Sequence, residues 1–589
     1  MSDPLLSRVL YIDLSRKKFW VEDRKDLFEK YLGGTGVAVK LLEEEVSSKT
    51  DPLGPDNTII FAVGPFTAMY PMASKTVALF KSPLTGNFGE SHAGGRTAIA
   101  IRMAGYGAIV IKGTSETPVY LAIHGDKVYF RDASALWGVR STYTIGRVLR
   151  EREPGSGLRT IIRIGRAGEK LVRYACAIAE SYRHFGRLGL GAVMGSKKLK
   201  AIVISGRRRI NVKDPHKYRQ IYNEIFDKAV KSPAMRKYHD IGTPVNIRAL
   251  NKIGALPTRN LKSTRFEYAD DISGERIAEL RLARRTACSH CPVACIHIAV
   301  IREQYPHEPY FYTTRYVSYD YEPIYALGSM LGIHDIDGLL RLLEAVEVQG
   351  LDAMSTGVIL AWATEALEKR IISVNDTLVE LKWGDWQNYI KAVKYIVEQP
   401  NEFYKTLALG VEEASKKYGG SEFALAFGGN EMPGYHAGIA THIGYLIGAR
   451  HSHLDNAGYS YDQKLIGKEY PTPEKVVDDL VNEESWRQIL SSLVVCFFAR
   501  GIYKPELVAK ALEPLGYSYA VEEIIDLGKK IYAEKYKLKI ELGFDITKAR
   551  IPERILKTPT PHGRISREFI EKALKYFNEK INKMIKEYT

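Results

Sequence analysis

Cysteine is the residue type with the clearest chemical pattern in this chain. Cys288, Cys291 and Cys295 follow a C-x2-C-x3-C spacing, and the whole sequence has five cysteines. Three thiolates this close in sequence can reach one metal centre. Structural zinc takes four ligands, and a [4Fe–4S] cluster is usually held by four cysteines, so one ligand must come from elsewhere in the chain.

The missing fourth ligand decides between zinc and an iron–sulfur cluster. His290 or His297 could complete a zinc site, whereas a cluster would need Cys176 or Cys496. The odd number of cysteines and the absence of any mark of secretion make a disulfide framework a weak interpretation. The spacing by itself leaves zinc and a cluster open.

Length and composition describe a globular protein. A chain of 589 residues with 45% hydrophobic and 26% charged residues is expected to form roughly two to four domains. Residues 1–8 lack the apolar region of a signal peptide, and apolar runs such as Leu493–Ala499 are too short to span a bilayer. We therefore expect a cytoplasmic protein with reduced thiols and no membrane partner. Abundant tyrosine and charge, with few Cys or Met, lean toward a thermophile.

The net charge of +15 is spread along the chain. No long block of Lys and Arg exists, the nearest being Arg207–Arg209. Scattered charge is typical of a solvated surface, so nucleic acid is a weak interpretation and we expect none. An anionic metabolite or an acidic protein partner stays open.

The hydrophobic pattern predicts an α+β fold, β-rich at the start and mostly helical afterwards. Short apolar runs typical of strands recur up to about residue 205: Val9–Ile12, Ile59–Val63, Val77–Phe80, Ala108–Ile111, Val119–Ile123 and Ala201–Ile204. Helical patterns follow from Asp214-Pro215 onward. The predicted helices are Tyr218–Ala229, Ile336–Val348, Ile359–Lys369, Trp386–Val397, Phe403–Lys417, Pro473–Val481, Glu484–Phe498, Ile524–Tyr536 and Arg567–Tyr588.

Glycine clusters lie between the predicted strands, at residues 33–36, 91–95, 105–107 and 186–191. Glycine lets a backbone approach a ligand closely and present its N–H groups to phosphate. No cluster fits the fingerprint of a Rossmann loop or a P-loop. A turn in a sheet explains any one cluster, whereas several in one domain favour a large phosphate-bearing cofactor bound by backbone.

Read together with the cysteine loop, these clusters resemble the tungsten-containing aldehyde ferredoxin oxidoreductase family, of which the chain looks like a divergent member. The resemblance covers nearly the whole chain and rests on the joint order of its motifs. They are Tyr31–Val37, Lys81–Gly86, Met103–Gly107, Ile164–Glu169, Gly186–Lys197, Lys200–Val203, Gly350–Gly357, Glu431–Pro433 and Pro552–Arg554.

The resemblance implies a first domain of two sheets that holds the cofactor, followed by two mostly helical domains. We place these domains at residues 1–208, 209–419 and 420–589. The implied cofactor is tungsten, or less often molybdenum, held by two pterins whose phosphates are bridged by Mg²⁺. A [4Fe–4S] cluster is implied beside it, which would explain glycine-rich turns without a nucleotide fingerprint.

The resemblance also assigns the site residues. Cys496 becomes the fourth cluster ligand beside Cys288, Cys291 and Cys295, and Cys176 is expected to pack in the core. The residues implied to contact the cofactor are Lys75, His92, Ala93, Gly94, Gly95, Arg187, Leu188, Gly189, Glu347, Gly350, Leu351, Asp352, Ser491, Val495 and Cys496. Two stretches, 347–352 and 491–496, match the family's D-x-x-G-L-D and D-x-x-G-L-C motifs.

Several residues depart from the family pattern. Ser491 lacks the charge of the motif aspartate, and Val494 replaces the motif glycine, which is expected to shift that turn. Lys75 stands where arginine is usual and His92 where asparagine is usual, while Thr35 is atypical. Lysine still attracts phosphate but lacks the bidentate fork of arginine.

Two residues match the family's catalytic positions. Glu322 is implied to activate water or accept a proton, and His453 to hydrogen-bond the aldehyde oxygen or a ligand of the metal. Without the resemblance, Glu322 would be interpreted as a helix-start carboxylate and His453 as a structural histidine. His451 is a nearby rival for the histidine role, and Asp455 is expected to alter the electrostatics of that corner.

The implied activity is oxidation of a small aldehyde to its acid. Electrons would pass through the cluster to ferredoxin or another small iron–sulfur acceptor, and an acidic acceptor would suit the +15 charge. The segment Tyr310–Tyr316 is expected to line the substrate channel or to pack in an aromatic core. A phosphorylated aldehyde or an acyl thioester is an alternative substrate, and a zinc-stabilised binding protein is an alternative of another class. A homodimer is compatible with the resemblance.

Overall fold

Two mixed sheets form the first part of the computed structural model, which describes residues 3–157 and 159–589. Both are six-stranded, with orders β2-β1-β6-β3-β4-β5 and β11-β10-β9-β12-β7-β8. The strands are β1 Arg8–Asp13, β2 Lys18–Asp23, β3 Ile59–Ala62, β4 Thr76–Lys81, β5 Phe88–Ala93, β6 Ala108–Lys112, β7 Val119–His124, β8 Lys127–Asp132, β9 Thr160–Ile164, β10 Ala177–Ala179, β11 Arg183–Phe185 and β12 Leu199–Ser205.

Every strand predicted in this part is present, within one or two residues at each end. The central strands β3 and β12 are buried along their whole length. Their continuous apolar runs are typical of strands that are covered on both faces. The helices that accompany the sheets are α1 Lys25–Tyr31, α2 Gly34–Glu45, α3 Thr97–Ala104, α4 Thr142–Arg152, α5 Arg166–Glu169 and α6 Leu190–Ser196.

The rest of the chain is mostly helical and confirms the α+β class. Its middle part contains α7 Pro215–Lys231, α8 Pro233–Asp240, α9 Asn246–Ile253, α10 Gly274–Arg281, β13 Leu282–Thr286, β14 Ile296–Tyr305, β15 Glu308–Tyr319, α11 Tyr321–Leu327, α12 Ile336–Gln349, α13 Ala353–Glu368, α14 Val374–Thr377, α15 Trp386–Glu398, α16 Glu402–Leu407 and α17 Val411–Tyr418. Its last part contains β16 Ala426–Phe427, β17 Asn430–Glu431, α18 Ile439–Ile447, α19 His453–Asn456, α20 Gly458–Leu465, α21 Pro473–Ser492, α22 Pro505–Leu512, α23 Val521–Glu541, α24 Glu553–Lys557 and α25 Arg567–Tyr588.

Several helix predictions were wrong in their bounds. Helix α13 begins six residues before the predicted Ile359, and α23 continues five residues beyond the predicted Tyr536. The stretch Phe403–Lys417 forms two helices, because Gly410 between them adopts φ +111°, outside the helical region. The two helices predicted between Pro473 and Phe498 form one, α21, which ends at Ser492. Cys496 therefore lies in the turn that follows α21.

The aromatic segment Tyr310–Tyr316 neither lines a channel nor packs in a core, so both expectations for it were wrong. It lies in β15 of the three-stranded sheet β13-β14-β15, whose outer strands carry much exposed side-chain surface. Tyr310 is 90% exposed and Phe311 is 63% exposed. Nothing in the local pattern distinguished a solvated strand from a buried one, because both are rich in aromatic residues.

The hydrophobic core connects the sheets to the end of the chain. The core around the first sheet includes apolar side chains from the end of α21, from α22 and from α23, such as Leu490, Val508 and Ile531. Side chains of α18 and α25 instead join the core of the middle part, among them Ile443 and Phe577. The predicted boundary at residue 420 stays a prediction. No described helix combines the length and apolar character that crossing a membrane requires.

Candidate active site

Helix α12 ends in a turn that begins one wall of the candidate site. Gly350 adopts φ +75°, which glycine tolerates without a steric penalty. The Gly350 N–H donates to the Glu347 carbonyl at 3.1 Å, and the Leu351 N–H donates to the Val346 carbonyl at 3.2 Å. This turn is the observed form of the stretch that matches D-x-x-G-L-D.

Helix α21 ends in a second turn with the same hydrogen bonds. Val494 adopts φ +58°, its N–H donates to the Ser491 carbonyl at 3.3 Å, and the Val495 N–H donates to the Leu490 carbonyl at 2.8 Å. A β-branched residue is strained in this left-handed region. The turn nevertheless keeps the form of its partner, so the expected shift caused by Val494 is not found.

Each turn pairs with the segment that precedes a strand of one sheet. Before β10, the Cys176 N–H donates to the Gly350 carbonyl at 2.9 Å, and the Asp352 N–H donates to the Tyr174 carbonyl at 3.1 Å. Before β4, the Lys75 backbone N–H donates likewise to the carbonyl of the Val494 turn at 3.1 Å. The two sheets thus receive two equivalent helix ends.

Glycines admit these helix ends to the sheets. A Cβ atom on Gly34 would lie 2.1 Å from the Ser491 carbonyl oxygen, and one on Gly64 would lie 2.2 Å from the Ser492 carbonyl oxygen. Such distances exclude any side chain. The glycine cluster at residues 33–36 therefore packs against the end of α21. This packing explains the cluster without a bound cofactor.

One cavity of about 350 Å³ brings most of the predicted site residues together. Those that line it are Lys75, His92, Gly94, Arg187, Leu188, Cys288, Cys291, Cys295, Glu322, Glu347, Leu351, Asp352, His453, Val495 and Cys496. Ala93, Gly95, Gly189, Gly350 and Ser491 do not line it. Gly350 shapes the first turn through its backbone, while the Ser491 carbonyl faces Gly34.

Backbone contacts hold Cys496 beside the cysteine loop. Met72 links them, because its N–H donates to the His290 carbonyl at 2.9 Å and its carbonyl accepts from the Cys496 N–H at 2.9 Å. The loop is also tied to the segment that follows β5, since the Ser289 N–H donates to the Gly95 carbonyl at 2.9 Å. Cys496 and the three thiols of the loop therefore line one cavity, and Cys176 lines it as well.

The surroundings of the thiols are buried and carry cationic side chains. Burial, with a smaller contribution from the neighbouring Cys496 and Cys288, raises the pKa of Cys291 to about 12. Arg183 lies close enough to Cys288 to interact with it electrostatically, and its guanidinium is 3.3 Å from Asp320. Within the described ranges, no three His, Cys, Asp or Glu side chains are already placed to hold a metal ion.

The two histidines considered as zinc ligands lie outside the cavity. His297 lies within hydrogen-bond distance of the carbonyls of Cys295, at 3.1 Å, and Asp240, at 3.3 Å. Neither His290 nor His297 lines the cavity. The fifth thiol, Cys176, donates to the Leu351 carbonyl at 3.6 Å, and burial holds its pKa well above the usual value.

The two predicted catalytic residues form a hydrogen-bonded pair. His453 Nε2 lies 3.2 Å from Glu322 Oε1, and the Tyr435 hydroxyl donates to the same oxygen at 3.1 Å. Burial by itself would raise the pKa of Glu322, but these two partners outweigh it and hold the pKa below the usual value. His453 Nδ1 is buried and has no hydrogen-bond partner among the described residues.

The rival histidine is used elsewhere. His451 Nδ1 lies 2.8 Å from the Tyr445 carbonyl oxygen, and His451 Nε2 lies 2.7 Å from Lys539 Nζ. Asp455, the other departure in this corner, forms a buried pair with Arg450 at 2.6 Å. The geometry therefore places His453, and not His451, in the cavity.

Polar groups on the first turn are organised around an arginine. Arg187 Nε lies 3.0 Å from Asp352 Oδ2, and Arg187 Nη2 donates to the Glu431 carbonyl at 2.8 Å. Arg187 Nη1 is buried without a partner among the described residues, as is Asn430 Oδ1. Glu347 lies 2.8 Å from His184 Nε2.

Two of the departures meet at one buried carboxylate. The Thr35 hydroxyl donates to Glu90 Oε1 at 2.9 Å, and His92 Nε2 lies 2.5 Å from the same oxygen. Lys535 forms an ion pair with Glu90, and both side chains are buried. Burial lowers the pKa of His92 to about 4, so its ring is neutral at pH 7. Thr35 and His92, which both depart from the family pattern, therefore contact the same carboxylate oxygen of Glu90.

Sequence reasoning missed several residues that line the cavity, namely Arg183, His184, Asn430, Tyr435, Arg450 and Tyr459. Most of them stand beside motifs that were recognised, such as Tyr435 after Glu431–Pro433. Their position beside these motifs is the sequence signal that could have indicated them. The stacking of Tyr435 on Tyr459, with ring centroids 4.0 Å apart, has no signal in the sequence.

Comparison with known families identifies the chain. The model of the aldehyde ferredoxin oxidoreductase N-terminal domain matches residues 9–206, and that of domains 2 and 3 of the same proteins matches residues 220–588. The two matches together cover most of the chain. This chain belongs to the aldehyde ferredoxin oxidoreductase family and is an enzyme.

Individual relatives agree with this assignment. A tungsten-containing aldehyde ferredoxin oxidoreductase of Thermococcus kodakarensis is 33% identical over 578 residues, covering 94% of this chain and 92% of that protein. The WOR-like subunit of an aliphatic sulfonate oxidoreductase of Pyrococcus furiosus is 32% identical, covering 70% of this chain and 67% of that protein. A chain of the BamBC active-site complex of benzoyl-coenzyme A reductase shares the fold, with a TM-score of 0.83, 21% identity, and coverage of 99% and 95%.

Proposed function

We propose that this enzyme oxidises an aldehyde to its carboxylic acid at a tungsten, or less often molybdenum, bis-pterin centre and passes the electrons through a [4Fe–4S] cluster to ferredoxin. One observation carries the proposal: four cysteines, two equivalent helix-end turns and the Glu322–His453 pair all line the same cavity. The names of the relatives support tungsten, aldehyde and ferredoxin.

The residues present fit such a cofactor. Arg187 Nη1 and Asn430 Oδ1 are a buried donor and acceptor without protein partners among the described residues, and buried polar atoms normally have partners. Lys75 and Arg187 are cations suited to the phosphates of a pterin, which Mg²⁺ would bridge. Gly94 leaves room beside the thiols, since a Cβ there would lie 2.7 Å from Cys288 Sγ. Cys288, Cys291, Cys295 and Cys496 would hold the cluster.

The side chains of this enzyme would control the proton transfers. The bound metal centre would polarise the carbonyl and accept two electrons, while the net reaction turns an aldehyde and water into an acid, two protons and two electrons. Glu322, kept ionised by Tyr435 and His453, is the base that accepts a proton from water. His453 Nδ1 is the group with free hydrogen-bonding capacity for the substrate oxygen.

The substrate class is the least constrained part of the proposal. Relatives are named for aldehydes and for aliphatic sulfonates, and the structural relative for benzoyl-coenzyme A. Kinetics on a panel of short and aromatic aldehydes, phosphorylated aldehydes and acyl thioesters would rank these classes. We expect a simple aldehyde to give the highest kcat/KM.

Metal analysis of anaerobically purified protein tests the proposal directly. We expect about four iron atoms and one tungsten or molybdenum per chain, together with viologen-linked aldehyde oxidation. A colourless protein that carries one zinc and no tungsten or molybdenum would overturn the proposal in favour of a zinc-stabilised binding protein.

Two variants test the proton chemistry. Glu322→Gln keeps the size of the side chain but removes the base, so kcat should fall by about 10²–10⁴-fold with metal content unchanged. Tyr435→Phe removes one donor to Glu322, so the pKa of Glu322 should rise toward its usual value. The base is lost as the pH falls through that pKa, so kcat should decline at a higher pH than in the wild type. Tyr459→Phe is the matched control, because Tyr459 stacks on Tyr435 without being a hydrogen-bond partner of Glu322.

A further inference from the structure

A surface groove of about 670 Å³ lies next to the cysteine ligands but outside the central cavity. It is bounded by α7, by α8 and by the chain from Phe498 through α22. Its apolar floor includes Met235, Ile502 and Leu507. The charged residues along it are Glu224, Lys228, Lys231, Lys504, Glu506 and Lys510.

One aromatic side chain separates this groove from the cavity that holds the cysteines. Phe498 lines both, and it follows Cys496 by two residues. Its ring stacks on Tyr238, with centroids 4.3 Å apart and planes 13° apart. Tyr238 also lies near Cys496 and Cys295, which add to the effect of burial in raising the pKa of its hydroxyl. Phe498, supported by the stacked ring of Tyr238, therefore stands between the thiols and the groove.

The groove carries a surplus of positive charge. Its lysines outnumber its glutamates by two to one, and Glu224 is already paired with both Lys228 and Lys510, each at 2.8 Å. Lys231 is 75% exposed, although it contacts Asp227 at 3.0 Å. Exposed charges of this kind contribute little to stability. They do steer partners of opposite charge and raise association rates.

We propose that this groove docks a small acidic iron–sulfur protein, which exchanges electrons with the cysteine-held cluster across Phe498. The inference rests on the proposed function, which supplies the cluster and its electrons. Each docking event transfers one electron to an oxidised partner cluster. Two oxidised partners are thus reduced for each aldehyde and water converted to an acid and two protons. The apolar floor provides the contact surface, and the lysines select an acidic partner. Small contacts of this type are usual in transient redox complexes.

Charge reversal at two exposed lysines provides the test. Lys228→Glu/Lys231→Glu removes two i,i+4 helix pairs within the groove. Lys475→Glu/Lys572→Glu removes two i,i+4 helix pairs of similar exposure elsewhere. Both double variants change the net charge by the same amount. The reconstituted holoenzymes are assayed with a purified acidic [4Fe–4S] ferredoxin, and separately with benzyl viologen, which needs no docking surface.

We expect the groove variant to lose about tenfold or more in kcat/KM for ferredoxin at low salt, while its viologen-linked rate stays at the wild-type value. The control variant should keep most of its ferredoxin activity. The wild-type kcat/KM should fall steeply with salt, and that of the groove variant much less. Equal losses in both double variants, or a ferredoxin rate that does not depend on salt, would overturn the docking proposal. Absence of viologen-linked aldehyde oxidation in the wild type would overturn the proposed function instead. A self-associated enzyme that the groove variant converts to monomers would assign the groove to a second copy of this chain.

Discussion

The turns at 347–352 and 491–496 share one backbone design but differ in their side chains. In both, a helix ends, a residue enters the left-handed region, and the next N–H groups point to carbonyls of the helix and of a sheet segment. The first turn carries Glu347 and ends in Asp352, which pairs with Arg187. The second carries Ser491 and ends in Cys496, which joins the other thiols.

This difference shows how one backbone form can serve two kinds of chemistry. The hydrogen bonds of each turn involve main-chain atoms, so they do not depend on the side chains that the turn presents. The residue that ends the turn can then be a carboxylate that pairs with Arg187 or a thiol that lies among other thiols. The turn tolerates a β-branched residue, because Val494 adopts φ +58°, a conformation in which glycine would be unstrained.

Replacing Cys496 should have the largest effect on activity, because it removes the thiol that distinguishes the second turn from the first. Cys496→Ser should lose most of the iron and lower ferredoxin-linked activity by about 100-fold or more, since even changes around metal ligands cost about 10–100-fold. Iron and labile-sulfide analysis measures the first effect. Cys176→Ala is the matched control, because this buried thiol beside the first turn should leave the iron content unchanged. Full iron occupancy in Cys496→Ser would disprove the ligand assignment.

The corresponding change in the first turn should affect the protein differently. Asp352→Asn keeps the shape but removes the charge that faces Arg187 in a buried pair, which should cost about 3 kcal/mol. Iron content should stay at the wild-type level, while tungsten or pterin content falls. Thermal unfolding at a fixed scan rate and metal analysis check both parts. A loss of iron without a loss of tungsten would contradict the division of roles.

Gly350→Val places in the first turn the residue type that the second turn has at the equivalent position, Val494. The variant tests whether the first turn also tolerates a side chain there. A Cβ at Gly350 would lie 2.9 Å from the Gly165 backbone nitrogen, and φ is +75°. Strain in this region costs about 1–3 kcal/mol, to which the close contact adds. The melting temperature should fall clearly. An unchanged value would mean that the first turn adapts as the second does.

Val494→Gly should have the smallest effect. Glycine relieves the strain at φ +58°, but it also removes a fully buried valine side chain, worth about 1.5–3 kcal/mol. The two contributions nearly cancel, so we expect a change of about 1 kcal/mol or less in unfolding free energy. Thermal unfolding of the two single variants side by side gives the comparison. A large stabilisation would show that the turn gains nothing from the valine.

Much of the fold was predictable from local pattern. Six of the twelve strands of the two sheets were located from short apolar runs, and α25 was predicted with its observed bounds, Arg567–Tyr588. The errors fall where local pattern is ambiguous. The aromatic strand Glu308–Tyr319 resembles a buried strand but is largely exposed, and Glu484–Phe498 remains apolar beyond the end of α21.

The candidate site was predictable only in part. The spacing of Cys288, Cys291 and Cys295 indicates a metal site because neighbours in sequence stay neighbours in space. The link from the cysteine loop through Met72 to Cys496 is a contact between distant segments, which leaves no periodic trace. The contacts of Tyr435 with Glu322 and of Thr35 with Glu90 also join residues that are distant in sequence, so the sequence pattern does not reveal them.

By itself the sequence determined that this protein has a β-rich start, a helical remainder and three thiols in one loop, because these depend on composition and short-range spacing. Only the tertiary structure decided that Val494 keeps the form of the turn, that His453 and not His451 faces the cavity, and that Phe498 stands between the thiols and a basic groove. These features depend on which distant surfaces bury each other, and burial in a folded chain is settled by the packing of whole elements.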